Sequence, residues 1–113
     1  MTNHAEISAQ TVVRDHWGGW THPDFLQPAK GGDVLDPDEF KTWLYEHNLT
    51  SATAWMANDV PEWQMEIFWK SGNWSDWLPS GPTGDGWFIG SIHDTEEGPV
   101  CIWLRSLLQE HAE

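Results

Sequence analysis

Ten tryptophans in a chain of 113 residues constrain this sequence more than any other feature. Eighteen acidic side chains against five basic ones leave a formal charge of −13. High net charge with modest hydrophobicity is the composition of a disordered chain. The aromatic content points the other way. Each buried ring removes roughly 150–250 Å² from water. A handful of the ten indoles and four phenylalanines therefore offsets the ordering entropy of a small domain. The length suits one domain with a single modest core.

The domain is expected over residues 17–105, with 1–16 as a flexible lead-in and 106–113 as a short, frayed C-terminal tail. The opening run MTNHAEISAQTVV has no basic start, apolar stretch or small-residue cleavage site, so no signal peptide is expected. No run approaches the ~20 apolar residues of a spanning helix. Cys101 is the only cysteine, which leaves no intramolecular disulfide and no cysteine-based zinc knuckle. A reducing, cytoplasmic setting is the simplest expectation.

The clearest element starts at Asp36. Asp36 suits the N-cap, Pro37 the first helical position, and Glu39 completes a capping box, with Leu35 and Phe40 as a hydrophobic staple. Phe40, Trp43, Leu44 and His47 then fall at i, i+3, i+4 and i+7, which predicts a helix over 37–47. Asn48 is a left-handed stop. LTSATAWMA, residues 49–57, is β-capable.

Residues 60–70 carry two signals. Glu62, Gln64 and Glu66 alternate with Trp63, Met65 and Ile67 as in a half-buried strand. Asp59 with Glu62 makes a second capping-box pattern, and Gly72 stands where a C-cap belongs. Caps at both ends outweigh a short alternation and predict a helix.

Residues 17–33 read as an irregular segment pinned by Trp17, Trp20, Phe25 and Leu26, and residues 71–86 read as a Gly/Pro-rich loop. A hairpin follows, 86–93 and 99–105, with Asp94 accepting turn N–H groups and Gly98 closing the turn. The expected fold is α+β: a small, antiparallel three-stranded sheet with two helices packed on one face.

The block GDGWFIGSIHDTEEGPVCIWLR (84–105), with Trp77 and Pro79 before it and the HPD run His22–Asp24, resembles a group of small proteins encoded by tailed bacteriophages and prophages. The resemblance spans roughly 17–105. It implies a phage or prophage accessory gene acting in the bacterial cytoplasm, and it implies no reaction and no catalytic residues.

No constellation reads as catalytic. His93, Asp94, Thr95, Glu96 and Glu97 crowd one turn, whereas metal sites gather ligands from separate elements. His16 and His22, with Asp15 and Asp24, match no site geometry. Cys101 beside Ile102 and Trp103 reads as a small core residue, and GPTGDG (81–86) lacks the Lys-Ser/Thr ending of a phosphate loop. No cofactor and no metal are expected.

The charge repels nucleic acid and anionic membranes and favours a basic surface on a host or phage protein. An acidic binding face is expected from Asp36, Asp38, Glu39, Asp59, Glu62, Glu66, Asp94, Glu96 and Glu97. Trp69, Trp74 and Trp77 are the expected exposed aromatics, while Trp43, Trp55, Trp87 and Trp103 are assigned to the core. The leading expectation is a non-enzymatic inhibitor of a host nucleic-acid-binding or defence enzyme, a DNA mimic in its charge pattern. The alternatives are a small divalent-metal-dependent enzyme using Asp94, Glu96 and Glu97, or a virion accessory protein.

Overall fold

The computed structural model describes residues 7–25 and 37–107. These form β1 (Trp20–Thr21), α1 (Pro37–Glu46), β2 (Leu49–Trp55), α2 (Met56–Asp59), α3 (Glu62–Ser71), β3 (Phe88–Thr95) and β4 (Gly98–Ser106). The strands make one antiparallel sheet in the order β1-β3-β4-β2. The class is α+β. The sheet has four strands instead of three because Trp20 and Thr21, inside a segment that reads as irregular, pair with Ile92 and Ser91.

Helix α1 follows its periodicity. Trp43 is buried, and Phe40 and Leu44 are half-buried beside it. Phe40 stacks on Trp43 at 6.0 Å, and Phe25 tilts against Trp43 at 5.3 Å. The helix ends as its sequence predicts: Asn48 takes φ 56° and Leu49 turns into the sheet, 4 % exposed. The proposed cap at Leu35 and Asp36 lies outside the described residues, as does Leu26.

Strand β2 stops at Trp55, short of the expected 57, because Met56 begins the single turn α2 and drives its side chain into the core at 2 % exposure. Helix α3 confirms the helical reading of 60–70 and its C-cap. Gly72 adopts φ 76°, where a β-carbon is disfavoured, and its N–H bonds the Phe68 carbonyl at 2.7 Å. Its start differs from expectation. The N-cap is Pro61, with no side-chain capping bond, because the Asp59 carboxylate is engaged elsewhere.

The β3–β4 hairpin is paired closer to its turn than expected: β3 is shifted two residues, to Phe88–Thr95, and β4 is extended to Gly98–Ser106. Pairing continues to Thr95 opposite Gly98, which leaves only Glu96 and Glu97 in the turn. Thr95, not Asp94, ties that turn: its hydroxyl accepts the Glu97 N–H at 3.0 Å and donates to the Gly98 carbonyl at 2.9 Å. Asp94 is instead a strand residue opposite Pro99.

The largest departure concerns layering. Side chains alternate across a strand, and the register puts Cys101 and Trp103 with Ile92 and Ile89 on one face. A register shift between Ile89 and Ser91 is what lets both isoleucines share it. That face packs on Met56, Met65, Phe68, Trp74 and Trp77. Leu104, Phe88, Ile102 and Leu49 point the other way, onto Ile7, Phe25, Trp43 and Phe40. The two main helices therefore cover opposite faces, not one. Residues 106–113 were expected to form the tail, but Ser106 completes β4, Leu107 bonds the Asn48 carbonyl at 2.7 Å, and 108–113 lie outside the described residues.

Candidate functional site

The loop after α3 is held by residues that precede the sheet. Arg14 donates to the carbonyl oxygens of Gly18 at 2.8 Å, Trp74 at 2.9 Å and Trp77. Burial pulls its guanidinium below its usual pKa, while nearby Cys101, Asp15 and Asp76 push the other way. The Asp15 carboxylate accepts the N–H groups of Trp17, Gly18 and Gly19, each at 2.9 Å. Those bonds, led by Gly19 and Gly18, lower its pKa. Gly18 (φ 118°) lies so close that a β-carbon there would sit 2.8 Å from the Ser75 nitrogen. Trp74 N–H bonds the Trp17 carbonyl at 2.8 Å, and Asn73 Nδ2 reaches the His16 carbonyl at 2.8 Å. The aperiodic run 7–16 is thus anchored at Ile7, 5 % exposed in the core beneath α1, and at Arg14 and Asp15, while most of its other side chains are exposed.

Asp59 fastens the other end of the loop. It accepts Trp77 Nε1 at 3.0 Å, the Ser80 N–H at 2.9 Å and the Ser80 hydroxyl at 2.8 Å. These anchors invert part of the expected exposure. Trp74 and Trp77 are 9 % and 1 % exposed and belong to the core, whereas Trp69 is exposed as expected. The other solvent-facing indoles are Trp17 and Trp63, and Leu78 in the same loop is 82 % exposed. Trp43 is buried as assigned, and Trp55, Trp87 and Trp103 are half-buried.

The nine expected acidic residues do not share one face. Asp36 lies outside the described residues. Asp38 and Glu39 are exposed in the first turn of α1, on the layer opposite α3. Asp59 has both carboxylate oxygens in loop anchoring. Glu62 and Glu66 are exposed one turn apart on α3, and Asp94, Glu96 and Glu97 are exposed at the hairpin end. Helix α3 reaches the hairpin end through Met65 and Trp69, since a β-carbon at Gly98 would meet Met65 Cε at 3.6 Å and the Trp69 ring at 3.9 Å.

Helix α3 is the centre of this surface. It buries only Met65 and Phe68, so Trp63, Ile67 and Trp69 face solvent beside Glu62 and Glu66. Apolar side chains in excess of the buried stripe are the usual mark of a contact surface. Of the three, only the exposure of Trp69 is expected from the sequence; Trp63 and Ile67 enter there as part of the 60–70 helix, without a surface role. The signal available was the number of apolar residues in α3: five, Trp63, Met65, Ile67, Phe68 and Trp69, in a ten-residue helix.

Elsewhere, polar groups meet in ways that periodicity cannot reveal. Thr21 and Ser91 hydroxyls lie 3.1 Å apart, and Ser91 Oγ is 2.9 Å from His93 Nδ1. Burial lowers the pKa of His93, with Asp94 opposing. Ser91 is 2 % exposed, so its hydroxyl is spent between Thr21 and His93 inside the fold. His22 is fully buried, with Nε2 bonded to the Ser8 carbonyl at 2.6 Å and Nδ1 accepting the Asp24 N–H at 2.9 Å. That arrangement is packing. Burial pushes the Cys101 thiol up to about 12, as suits a core residue. Among the described residues no three His, Cys, Asp or Glu side chains converge to hold a metal ion, so Asp94, Glu96 and Glu97 do not assemble one. No helix among them is long and apolar enough to cross a membrane.

Comparison of the chain with protein-family models, with curated proteins and with solved structures finds no match to any of them.

Proposed function

We propose that this chain is an acidic interaction protein that docks on a basic, nucleic-acid-binding surface of a host enzyme and inhibits it. A phage or prophage origin and a cytoplasmic site of action belong to this reading, on the strength of the 84–105 block. The observation that carries the proposal is the outer face of α3. There Glu62 and Glu66 stand beside exposed Trp63 and Ile67, on a helix whose Met65 and Trp69 reach the hairpin end, in a chain of charge −13.

Carboxylates on a rigid helix steer a cationic partner at low ionic strength, and exposed aromatics supply the desolvated centre that turns encounter into binding. Acids on α1 add to the long-range field without joining the contact. The functional face is therefore five of the nine expected residues: Glu62, Glu66, Asp94, Glu96 and Glu97.

The test is capture from bacterial lysate with the folded chain as bait, at low and high salt, beside the double variant Glu62→Gln/Glu66→Gln. Recovery of a nucleic-acid enzyme that is released by salt and lost with the double variant supports the reading. Capture that ignores salt, or that never includes such an enzyme, refutes it. Displacement of labelled duplex DNA from the captured enzyme then measures the inhibition directly.

A further inference from the structure

Between α3 and the loop after it lies a groove of about 290 Å³. Trp74 and Trp77, almost wholly buried, form its floor, and the exposed pair Trp63 and Ile67 forms its rim. Asp76, also in the lining, is exposed. The floor is rigid, because both tryptophans are held through their backbone carbonyls by Arg14 and Trp77 also through its indole by Asp59. The volume lies just below the roughly 300–1,000 Å³ range of small-molecule sites, which suits one long side chain.

The lining selects the charge of that side chain. Indole faces attract cations through the ring quadrupole. A carboxylate at the rim adds a direct partner, and the −13 charge of the chain makes the surrounding potential negative. Arg14 lies close enough to Asp76 to feel its charge, but its guanidinium already donates to three carbonyl oxygens, those of Gly18, Trp74 and Trp77. We propose that this groove is the anchor site for a single arginine side chain of the basic partner, stacked on Trp63 and paired with Asp76. Arginine is favoured over lysine because a planar guanidinium stacks on an indole and grips a carboxylate with two parallel bonds. The assignment deepens the basic-partner reading above and rests on it.

The experiment titrates the folded chain with an acetylated, amidated (Arg-Gly)4 peptide, using calorimetry and the chain's own tryptophan fluorescence. Matching lysine and citrulline peptides and the neutral disaccharide maltose are titrated in parallel. Trp63→Ala and Asp76→Asn alter exposed side chains, and circular dichroism checks that each variant folds. Glu39→Gln, on the opposite layer, removes one charge remote from the groove.

The expected result is binding in the order arginine, lysine, citrulline. Trp63→Ala and Asp76→Asn should each weaken the arginine peptide at least about fivefold, as for loss of one cation–π contact or one charged hydrogen bond, against less than about twofold for Glu39→Gln. Equal weakening by all three variants would overturn the groove and leave the acidic surface standing. Binding of maltose with affinity that matches or exceeds that of the arginine peptide would overturn the cationic assignment. Failure of the arginine peptide to bind at low salt would overturn both.

Discussion

Arg14→Met should be among the most damaging single substitutions outside the core. The guanidinium ties three carbonyl oxygens, those of Gly18, Trp74 and Trp77, from two segments some sixty residues apart in sequence. Hydrogen bonds from a charged donor contribute about 1.5–3 kcal/mol each. The three do not add in full, because burial of the cation is itself costly, as its lowered pKa records, and because a loosened loop lets water reach the freed carbonyls. A net loss of about 2–4 kcal/mol follows, which for a chain of this size lowers Tm by roughly 8–16 °C. Methionine keeps most of the apolar stem, so the loss reports the fork and not the packing. Arg14→Lys isolates geometry from charge. A point ammonium cannot reach three divergent acceptors, and this variant should lose at least about half as much. Urea unfolding followed by tryptophan fluorescence reads both, with Trp74 and Trp77 as the nearest reporters. If Arg14→Met shifts stability by less than about 0.5 kcal/mol, the level of an ordinary surface substitution, the strap does not hold the loop and the reasoning fails.

Three further outcomes follow from the same geometry. His93 has a lowered pKa, so its neutral form is favoured in the folded state: its contribution is present above the ordinary histidine value of 6.5 and is lost as pH falls below it. Stability measured from pH 7.5 to 5 should therefore drop less steeply in His93→Gln, and an NMR titration should place the His93 midpoint below 6.5. The Cys101 thiol, pushed up to about 12 by burial, should resist Ellman's reagent at pH 8 and react fully once urea unfolds the chain; fast labelling of the native protein would contradict its burial. Gly18→Ala should destabilise by more than the roughly 1 kcal/mol expected for Gly72→Ala, since both have positive φ but only Gly18 faces backbone atoms within 3 Å; thermal melts of the two variants decide it.

The chemistry-bearing residues divide according to how local their determinants are. Helix α1, its Asn48 stop, helix α3 with its Gly72 cap and the β3–β4 hairpin were all legible, because each depends on side chains within a few positions of one another. The acidic character of the surface was legible for the same reason, since charge is a sum over composition. The roles of Asp59 and Asp94 were misread. Asp59 matched a local cap, but the indole of Trp77 and both polar groups of Ser80 offered it three long-range bonds, and these won. Asp94 matched a turn acceptor, but a hydroxyl one residue later reached the turn better.

By itself, the sequence determined that this chain folds on its aromatics, that its surface is acidic, and where two helices and a hairpin lie. Only the tertiary structure decided that the helices cover opposite faces, because pairing between strands distant in sequence sets which side of the sheet each segment meets, and a register shift in β3 turns both Ile89 and Ile92 to the α3 side. It also decided which tryptophans are seen by a partner. Ten indoles are chemically alike along the chain; Trp74 and Trp77 are withdrawn by Arg14 and Asp59, and Trp63 and Trp69 are left outside by the narrow stripe that α3 buries.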